Sequence, residues 1–294
     1  MKFKKKNIRV MSKNKYCDVS IVCANYNNGK YLDEFMSSII NSTMLPKELI
    51  IIDDGSTDES LEILSRYNVP FLKVISLINN LGFANALNVG IAKTSSKYIL
   101  RIDPDDLLEK TRIEKQFSFL EKNPDIGVIG SNALYFHDNN SQSLSTSNFP
   151  LTSDEIKKRY IFGEHGLLHG TVMGRLELFN KFKYAQDSVP AEDYEIFAKM
   201  INEGVKAVNL VDILTRVRIH ENSVSNDLPK STYIKMFSIR DVIFNKKTSW
   251  LRLNTTYYCN YFYRKYKYNR FFTRFIYLII SITLRPDKLW RRLS

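Results

Sequence analysis

The sequence predicts an α/β fold in which helices cover both faces of a mostly parallel sheet. Segments with strand and helix patterns alternate from residue 19 to residue 102, and polar clusters follow three of the apolar strands. Alternation of this kind is typical of βαβ units. With 294 residues and 44% hydrophobic composition, the chain is long enough for one sizeable globular domain and an appendage.

The predicted elements follow one another closely along the first third of the chain. Short apolar runs rich in β-branched residues predict strands at residues 19–24, 48–52, 71–76 and 97–102. Amphipathic segments between them predict helices at residues 31–41, 59–66 and 84–93. A later helix is predicted at residues 194–202, after the break at Val189-Pro190.

Polar residues follow the first, second and fourth predicted strands, at Asn25-Tyr26-Asn27, Asp53-Asp54 and Asp103-Pro104-Asp105-Asp106. The carboxyl ends of parallel strands meet at one edge of a sheet, where α/β proteins bind ligands. Turn or helix-capping chemistry would explain polar residues here, but not why two of the three clusters contain carboxylate pairs. Crowded carboxylates suit Mg²⁺ or Mn²⁺, which usually complete their shells with water and phosphate.

The positive charge is concentrated near the carboxyl end. Residues 246–294 hold twelve Lys and Arg against one Asp, so this segment carries +11 of the net charge of +12. The remainder is nearly neutral. The pattern predicts a neutral body with a strongly basic tail.

Cysteine usage and the amino-terminal segment both favour an intracellular protein. Cys17, Cys23 and Cys259 are widely spaced and odd in number, which argues against a disulfide framework. Residues 1–16 form a basic leader without the apolar segment of a secretory signal, so we expect no export.

Five motifs follow one another along the chain, namely VSIVCANYN from Val19, IIDDGSTD from Ile51, NLGF from Asn80, DPDD from Asp103 and AEDY from Ala191. In this order they resemble family 2 glycosyltransferases, which are inverting enzymes of the Rossmann-like GT-A fold that use nucleotide-sugar donors. The resemblance covers about residues 19–225. It implies a GT-A domain at residues 17–225, with a nucleotide-sugar-binding half at 17–106 and an acceptor-binding half at 107–225.

In that family the first two loops hold the nucleoside. The resemblance therefore implies that Tyr26, between Asn25 and Asn27, stacks on or flanks the base. It implies that Asp54, helped by Asp53, accepts hydrogen bonds from base or ribose. The alternatives are an ordinary rim aromatic at Tyr26 and an Asx turn at the two carboxylates.

The segment from Asn80 to Asn88 resembles the family loop and helix beside the donor, with Gly82 and Asn88 as donor-side positions. For Asn88 a polar residue on an exposed helical face is an equal alternative. Many members carry Arg where Leu87 stands, so a basic contact to the donor diphosphate is missing or is supplied elsewhere.

The resemblance assigns the chemistry to two acidic motifs. In the first, one carboxylate contacts the donor ribose and another, Asp105 or Asp106, binds Mn²⁺ or Mg²⁺. Asp103 is a nucleotide-sugar-binding candidate, and the sequence leaves open which of the three binds the metal. In the second, Asp193 is the general base, next to Glu192. The alternative is that both acids of the second motif only favour a helix N-terminus through its dipole.

Two further segments resemble family motifs. His169-Gly170-Thr171 matches the stretch that shapes the acceptor pocket, although a packed histidine is the simpler interpretation. Alternation places Arg216, Arg218 and His220 on one side of a strand. Arg218 and His220 match a carboxyl-terminal motif, as candidates for diphosphate or metal contact on a mobile loop, and a structural histidine is an equal alternative for His220.

Residues 226–294 are predicted to form a helical, basic and aromatic region that associates with membranes. The apolar run at 275–284 spans ten residues, against roughly 20 for a bilayer crossing, so we expect it to lie on an anionic membrane surface as an amphipathic helix. Cations that flank the run are expected to face this surface, namely Arg270 and Arg274 before it and Arg285, Lys288, Arg291 and Arg292 after it. Packing on the body or on a second subunit is the alternative. The aliphatic run argues against nucleic acid as the partner.

The sequence thus predicts a glycosyltransferase that moves a sugar from a nucleotide-diphosphate sugar to an acceptor hydroxyl. We expect the acceptor to be a lipid-linked glycan of bacterial capsule or O-antigen biosynthesis, on the cytoplasmic face of the cell membrane. A homo-oligomer is compatible with the sequence. The alternatives are a nucleotidyltransferase, which would normally call for a Gly/Arg/Lys-rich triphosphate loop, and a non-catalytic nucleotide- or carbohydrate-binding scaffold.

Overall fold

The structure is a computed structural model that describes residues 15–138, 143–220, 228–268 and 271–287. These residues fall into two compact units, one within Met1–Asn226 and the other within Asp227–Ser294. Nearly all of the predicted leader, and the end of the basic tail, lie outside the described residues.

One sheet runs through the first unit. Its strands are β1 Lys15–Asn25, β2 Met44–Asp53, β3 Leu72–Ser76, β4 Tyr98–Arg101, β5 Leu107–Leu108, β6 Ile126–His137, β7 Ser143–Thr146, β8 Met173–Arg175 and β9 Lys206–Ile219. The helices are α1 Gly29–Ile40, α2 Ser60–Ser65, α3 Phe83–Ile91, α4 Arg112–Lys122, α5 Ser153–Ile161, α6 Leu176–Phe182 and α7 Glu192–Asn202. The seven elements predicted between residues 19 and 102 are all present, with ends shifted by a few residues.

The strand order is β3-β2-β1-β4-β8-β6-β9-β5, and β7 pairs with β6. Pairs β1–β2, β1–β4, β2–β3 and β6–β9 are parallel. The short strands β5, β7 and β8 pair antiparallel with their neighbours. The mostly parallel sheet predicted from the alternating pattern is therefore confirmed, and it brings the carboxyl ends of β1, β2 and β4 to one edge.

Helices cover the sheet on both faces. Val19, Ile21 and Cys23 belong to a core cluster with the apolar side of α1, whereas Val22, from the alternate position, meets α3. A Cβ at Gly90 of α3 would lie 2.6 Å from a Val22 methyl, so only glycine allows this close approach. Burial on both faces explains why β1 reads as a continuous apolar run.

A buried arginine joins the strands beneath the polar edge. The Arg112 guanidinium donates to the carbonyl oxygens of Arg101 at 2.8 Å and Gly170 at 2.8 Å, and to the Thr215 hydroxyl at 2.9 Å. Its Nε donates to the Gln116 amide oxygen at 3.1 Å. Since Arg112 is fully buried, these bonds compensate for its desolvation.

We expect Arg112→Met to lower the free energy of unfolding by about 3–5 kcal/mol, because it leaves the two buried carbonyls and the hydroxyl without their donor. Chemical denaturation of the whole protein measures the change. The matched control is Lys122→Met at the exposed end of the same helix, which should alter stability by no more than about 0.5 kcal/mol. Equal free energies for the two variants would contradict this account.

The second unit is helical, as predicted, and contains α8 Lys230–Phe244, α9 Trp250–Tyr268 and α10 Phe271–Leu284. α10 packs on α9 through two contacts. The Ser281 hydroxyl donates to the Cys259 carbonyl at 3.0 Å, and the Phe262 and Tyr277 rings stack. In the described part of the chain, no helix has the length and apolar character to cross a bilayer.

One expectation about this unit is wrong. The sequence placed Arg285 among the cations that flank the apolar run and face an anionic surface. In the structure it is 7% exposed, and it donates to Asp287 at 2.6 Å and to the Thr256 hydroxyl at 2.8 Å. Arg285 pairs with the carboxylate of Asp287 rather than with solvent or lipid, so it fixes the end of α10.

Candidate active site

The first two loops at the sheet edge are tied together by buried polar side chains. The Asn25 amide donates to the Asp53 carboxylate at 2.8 Å, and Asp53 also accepts from the backbone N–H of Ser56 at 3.2 Å. Both side chains are inaccessible to solvent. Their geometry supports the loops, in keeping with the Asx turn that the sequence allowed.

Asp54, in the loop after β2, fixes the loop that leads into α3. Its two carboxylate oxygens accept from the backbone N–H groups of Leu81 at 2.7 Å and Gly82 at 3.0 Å. Gly82 has a φ of +88°, and a Cβ there would overlap the side chain of Gln186. Gln186 caps α3 through the N–H of Ala84 at 3.1 Å. The predicted nucleoside-binding loops thus form one hydrogen-bonded edge.

In the loop after β1, Asn27 bonds to the neighbouring loop and Tyr26 is accessible to solvent. The Asn27 amide oxygen accepts from the N–H of Thr57 at 2.8 Å and of Asp58 at 3.3 Å. Tyr26 is 48% exposed, so its ring is accessible at the rim of the site. Base contact by Tyr26 stays a prediction.

The carboxylates of Asp103, Asp105 and Asp106 lie at the end of β4 as predicted. A Cβ at Gly170 would lie 3.2 Å from Asp106 Oδ2 and 3.6 Å from Asp103 Oδ2, so both carboxylates face the bare Cα of this glycine. Burial raises the pKa of Asp103 and Asp106, and repulsion within the cluster adds to the shift. Negative charge is therefore concentrated where a cation would relieve it.

Arg218 and His220 approach this cluster from β9. His220 Nε2 lies 2.9 Å from Asp105 Oδ2. The backbone N–H of Arg218 donates to Asp106 Oδ1 at 2.9 Å, and its Nε donates to the Asp105 carbonyl at 2.9 Å. Each residue thus holds part of the acidic motif.

The strand expected around Arg218 is confirmed, and the mobile loop that the family motif implied is wrong for this residue. It lies inside β9, with its guanidinium paired to Glu34 at 2.5 Å and Asp138 at 3.0 Å. The same guanidinium lies over the Tyr31 and Phe136 rings, with Cζ 4.8 and 4.7 Å from their centroids. Two aromatic faces and two carboxylates hold the residue in place, so its geometry is that of a support for the Asp105–Asp106 segment.

Glu192 and Asp193 begin α7, within the electrostatic reach of the Asp cluster. Burial raises the pKa of Glu192 to about 7, and the Asp193 charge adds to the shift. Because this pKa lies above the ordinary 4.5, ionised Glu192 destabilises the fold increasingly as pH rises from 4.5 to about 7. His165, which the sequence did not single out, places Nδ1 3.5 Å from Asp193 Oδ2.

The predicted acceptor-side residues are mainly buried. His169 Nε2 lies 2.8 Å from the Tyr184 hydroxyl, and burial with the Arg101 charge holds the pKa of His169 well below its usual range. The Thr171 hydroxyl donates to the Leu168 carbonyl at 2.8 Å. These are packed positions, whereas Gly170 borders the carboxylates.

The Asn88 side chain is held by hydrogen bonds to the backbone of Tyr184. Its amide donates to the Tyr184 carbonyl at 2.7 Å and accepts from the Tyr184 N–H at 3.0 Å. The residue therefore joins α3 to the segment before α7.

The donor set fits a divalent cation that takes only part of its shell from protein. No group of three His, Cys, Asp or Glu among residues 15–138, 143–220, 228–268 and 271–287 forms a complete metal site. Mg²⁺ and Mn²⁺ sites at phosphates commonly use one or two carboxylates and leave the remaining positions to water and substrate oxygens. The Oδ2 atoms of Asp103 and Asp106 both face Gly170, and Asp105 lies beside His220, so this cluster contains one or two carboxylates of the kind required.

Sequence reasoning missed Arg101, His165 and Gln186. A signal existed for Arg101, since it is a charged residue in an otherwise apolar strand, two positions before Asp103 and thus on the same side. Nothing in the local sequence marks His165 or Gln186, because only the fold brings residues 165 and 186 to Asp193 and α3.

Comparison with known proteins identifies similar chains. The model of the family "Glycosyl transferase family 2" matches residues 20–182. An uncharacterized glycosyltransferase of Haemophilus influenzae is 32% identical over 71% of this chain and 67% of its own length. One of Methanocaldococcus jannaschii is 30% identical over 90% and 89%. The amylovoran biosynthesis glycosyltransferase AmsE of Erwinia amylovora is 27% identical over 70% and 78%.

Solved structures show the same fold. Staphylococcus aureus TarS in complex with UDP-GlcNAc has a TM-score of 0.63 at 21% identity, covering 92% of this chain and 80% of that one. The Pyrobaculum calidifontis mannosyltransferase PcManGT in complex with GDP-Man and Mn²⁺ has a TM-score of 0.56 at 13% identity, covering 92% and 75%. The α/β architecture is therefore the GT-A architecture.

Proposed function

The chain belongs to glycosyltransferase family 2 and is a glycosyltransferase, and from that premise we propose that it transfers one sugar from a nucleoside-diphosphate sugar to an acceptor hydroxyl with inversion. The observation that carries the proposal is the meeting of two acidic motifs. Asp103 and Asp106 face Gly170, and the neighbouring His169 ring packs on Phe197 of α7, the helix that Glu192 and Asp193 begin. A displacement needs these two features, a charged site for the leaving diphosphate and a base for the nucleophile.

Asp193 is the proposed base. Its carboxylate takes the proton of the acceptor hydroxyl while the hydroxyl oxygen forms a bond to the anomeric carbon. The bond from that carbon to the diphosphate oxygen breaks on the opposite face, and its electron pair leaves with the nucleoside diphosphate. One displacement inverts the anomeric centre. The backbone N–H of Tyr194 donates to Asp193 Oδ1 at 2.7 Å and orients the carboxylate, and His165 Nδ1 lies 3.5 Å from Oδ2.

Asp105 and Asp106, with His220, are the proposed holders of Mn²⁺ or Mg²⁺, and Asp103 the proposed ribose contact. The bound ion would supply positive charge to the diphosphate as it leaves. Arg218 serves the donor side by fixing the backbone and carboxylate positions of Asp105 and Asp106.

The proposed acceptor is a glycan intermediate of bacterial surface-polysaccharide assembly, carried on a lipid. The name of AmsE, a glycosyltransferase of amylovoran biosynthesis, supports this class. So does that of WbnJ, an Escherichia coli glycosyltransferase of O-antigen biosynthesis that is 27% identical over 76% of this chain.

Nucleoside diphosphate release from a panel of nucleotide-sugars, with Mn²⁺ and a lipid extract as acceptor, tests the function. We expect release from one donor that depends on the acceptor. If the protein binds nucleotide but releases no nucleoside diphosphate from any donor in the panel, the result would favour a non-catalytic binding scaffold.

We also propose that the second unit binds an anionic membrane surface. Phe275, Ile276 and Ile279 of α10 share one helical face and are 58%, 57% and 63% exposed. They lie in the segment that carries a net charge of +11. Apolar contact and attraction to anionic lipid act together in such a surface.

Replacing Phe275, Ile276 and Ile279 with Ser should reduce co-sedimentation with vesicles of anionic phospholipid by at least about tenfold, since the loss of even one buried apolar side chain removes roughly 1.5 kcal/mol, about a factor of ten in affinity. Added salt should weaken the binding of the unchanged protein. Val211→Ser, at a residue of the first unit that is 71% exposed, is the matched control. Equal partition of both variants would contradict the proposal.

A further inference from the structure

Arg101 is a buried cation to which neither the family motifs nor the proposed mechanism gives a task. It ends β4, and its side chain is 3% exposed. Its Nη2 donates to Asp103 Oδ1. Because Arg101 and Asp103 are two positions apart along an extended segment, they point into the same side of the site.

Arg112 provides an internal comparison. Both arginines are buried, and the side-chain nitrogens of Arg112 all donate to protein oxygens. In Arg101, by contrast, Nε and Nη1 are buried and meet no acceptor among the described residues. An unsatisfied buried N–H is costly, and buried polar groups in proteins are rarely left in this state without a functional reason.

The surroundings of Arg101 indicate what could satisfy it. Its Cζ lies 5.0 Å from the centroid of the Phe83 ring, at the start of α3 beside the predicted donor loop. The Phe83 ring packs on His169, and His169 packs on Phe197 of α7, the helix that begins at Glu192 beside the proposed base. Glu192 Oε2 is also buried and receives no donor from the described residues. A hydroxyl group can accept from a guanidinium and donate to a carboxylate at once.

We propose that Arg101 binds the sugar of the donor, with Nε–H and Nη1–H donating to sugar oxygens and Glu192 accepting from a sugar hydroxyl. This inference rests on the proposed function. The nucleoside loops belong to other strands, at Asn25 and Asp54. Arg101 bonds to Asp103, and through Phe83 and His169 it is joined to α7, the helix of Glu192 and Asp193. The sugar must sit near both motifs for its anomeric carbon to face the base.

Calorimetric titration of the full chain separates sugar contact from nucleotide contact. The probes are UDP, GDP and dTDP and the conjugates UDP-GlcNAc, UDP-glucose, GDP-mannose and dTDP-rhamnose, each with Mn²⁺. The variants are Arg101→Lys, which keeps a cation beside Asp103, and Arg101→Gln. For the conjugate that the unchanged protein binds best, we expect both variants to weaken affinity by about 10- to 100-fold. Affinity for the matching free diphosphate should change by less than about threefold.

Asp103→Asn is the control for an indirect effect, since it removes the partner of Arg101 and the proposed ribose contact together. It should weaken the diphosphate and its conjugate by similar factors. If the Arg101 variants behave in that way, or leave both affinities unchanged, the inference is overturned while nucleotide binding itself stands. A raised KM for the acceptor at unchanged conjugate affinity overturns it as well. Diphosphate affinity also reports that the variants are folded, and failure of the unchanged protein to bind any probe would overturn the proposed function too.

Discussion

Asp193→Asn lowers kcat by about 10²- to 10⁴-fold, the range that general-base catalysis contributes, while donor affinity stays close to that of the unchanged protein. The amide is nearly the same size as the carboxylate and can still approach His165, but it cannot accept the proton of the acceptor hydroxyl. Steady-state release of nucleoside diphosphate measures kcat, and calorimetry measures donor affinity.

The control for this prediction tests the helix-dipole alternative. Asp154 lies in the first turn of α5, as Asp193 lies in the first turn of α7, and it is exposed. If the acids only favour a helix N-terminus, each substitution costs roughly 0.3–1 kcal/mol of stability, and neither affects kcat. Comparable turnover by Asp193→Asn and Asp154→Asn would therefore contradict the assignment of the base.

Removal of divalent metal should reduce turnover by at least about 10²-fold, and Mn²⁺ or Mg²⁺ should restore it. The physical reason is the charge of the site. Three carboxylates already crowd the position where the diphosphate would have to lie, so two further negative groups need a cation there. Turnover before and after chelation, at saturating donor, gives the measurement.

Asp105→Asn and Asp106→Asn identify the ligand. The variant that removes it should raise the metal concentration for half-maximal turnover by at least about tenfold. Asp212→Asn is the control, because this carboxylate pairs with Lys115 away from the cluster. Unchanged turnover after chelation would refute the metal assignment, and equal metal dependence in all three variants would refute the two ligand assignments.

The sequence predicted the parts of the site that depend on local pattern. Residues at the ends of β1, β2 and β4 could be placed at one edge because parallel strands share a direction, and Asn25 and Asp53 indeed lie opposite each other in the register. The glycine at 170 could be named from its motif. Its proximity to Asp106 could not, since 64 positions separate the two residues.

The missed features depend on tertiary contacts. Arg218 belongs to β9 because β9 pairs with β6 along its whole length, and Asp138 and Glu34 reach its guanidinium from distant segments. Arg285 is paired with a near neighbour, which could have been suspected from spacing. The unsatisfied nitrogens of Arg101 become visible only when every hydrogen bond around them is known.

The anomeric configuration of the transferred sugar tests the central claim most directly. Proton NMR of the early product should show the anomeric configuration opposite to that of the donor selected by the release assay, because one displacement assisted by Asp193 inverts the centre. A product with the same anomeric configuration as the donor would require retention and would contradict the single-displacement mechanism proposed for this site.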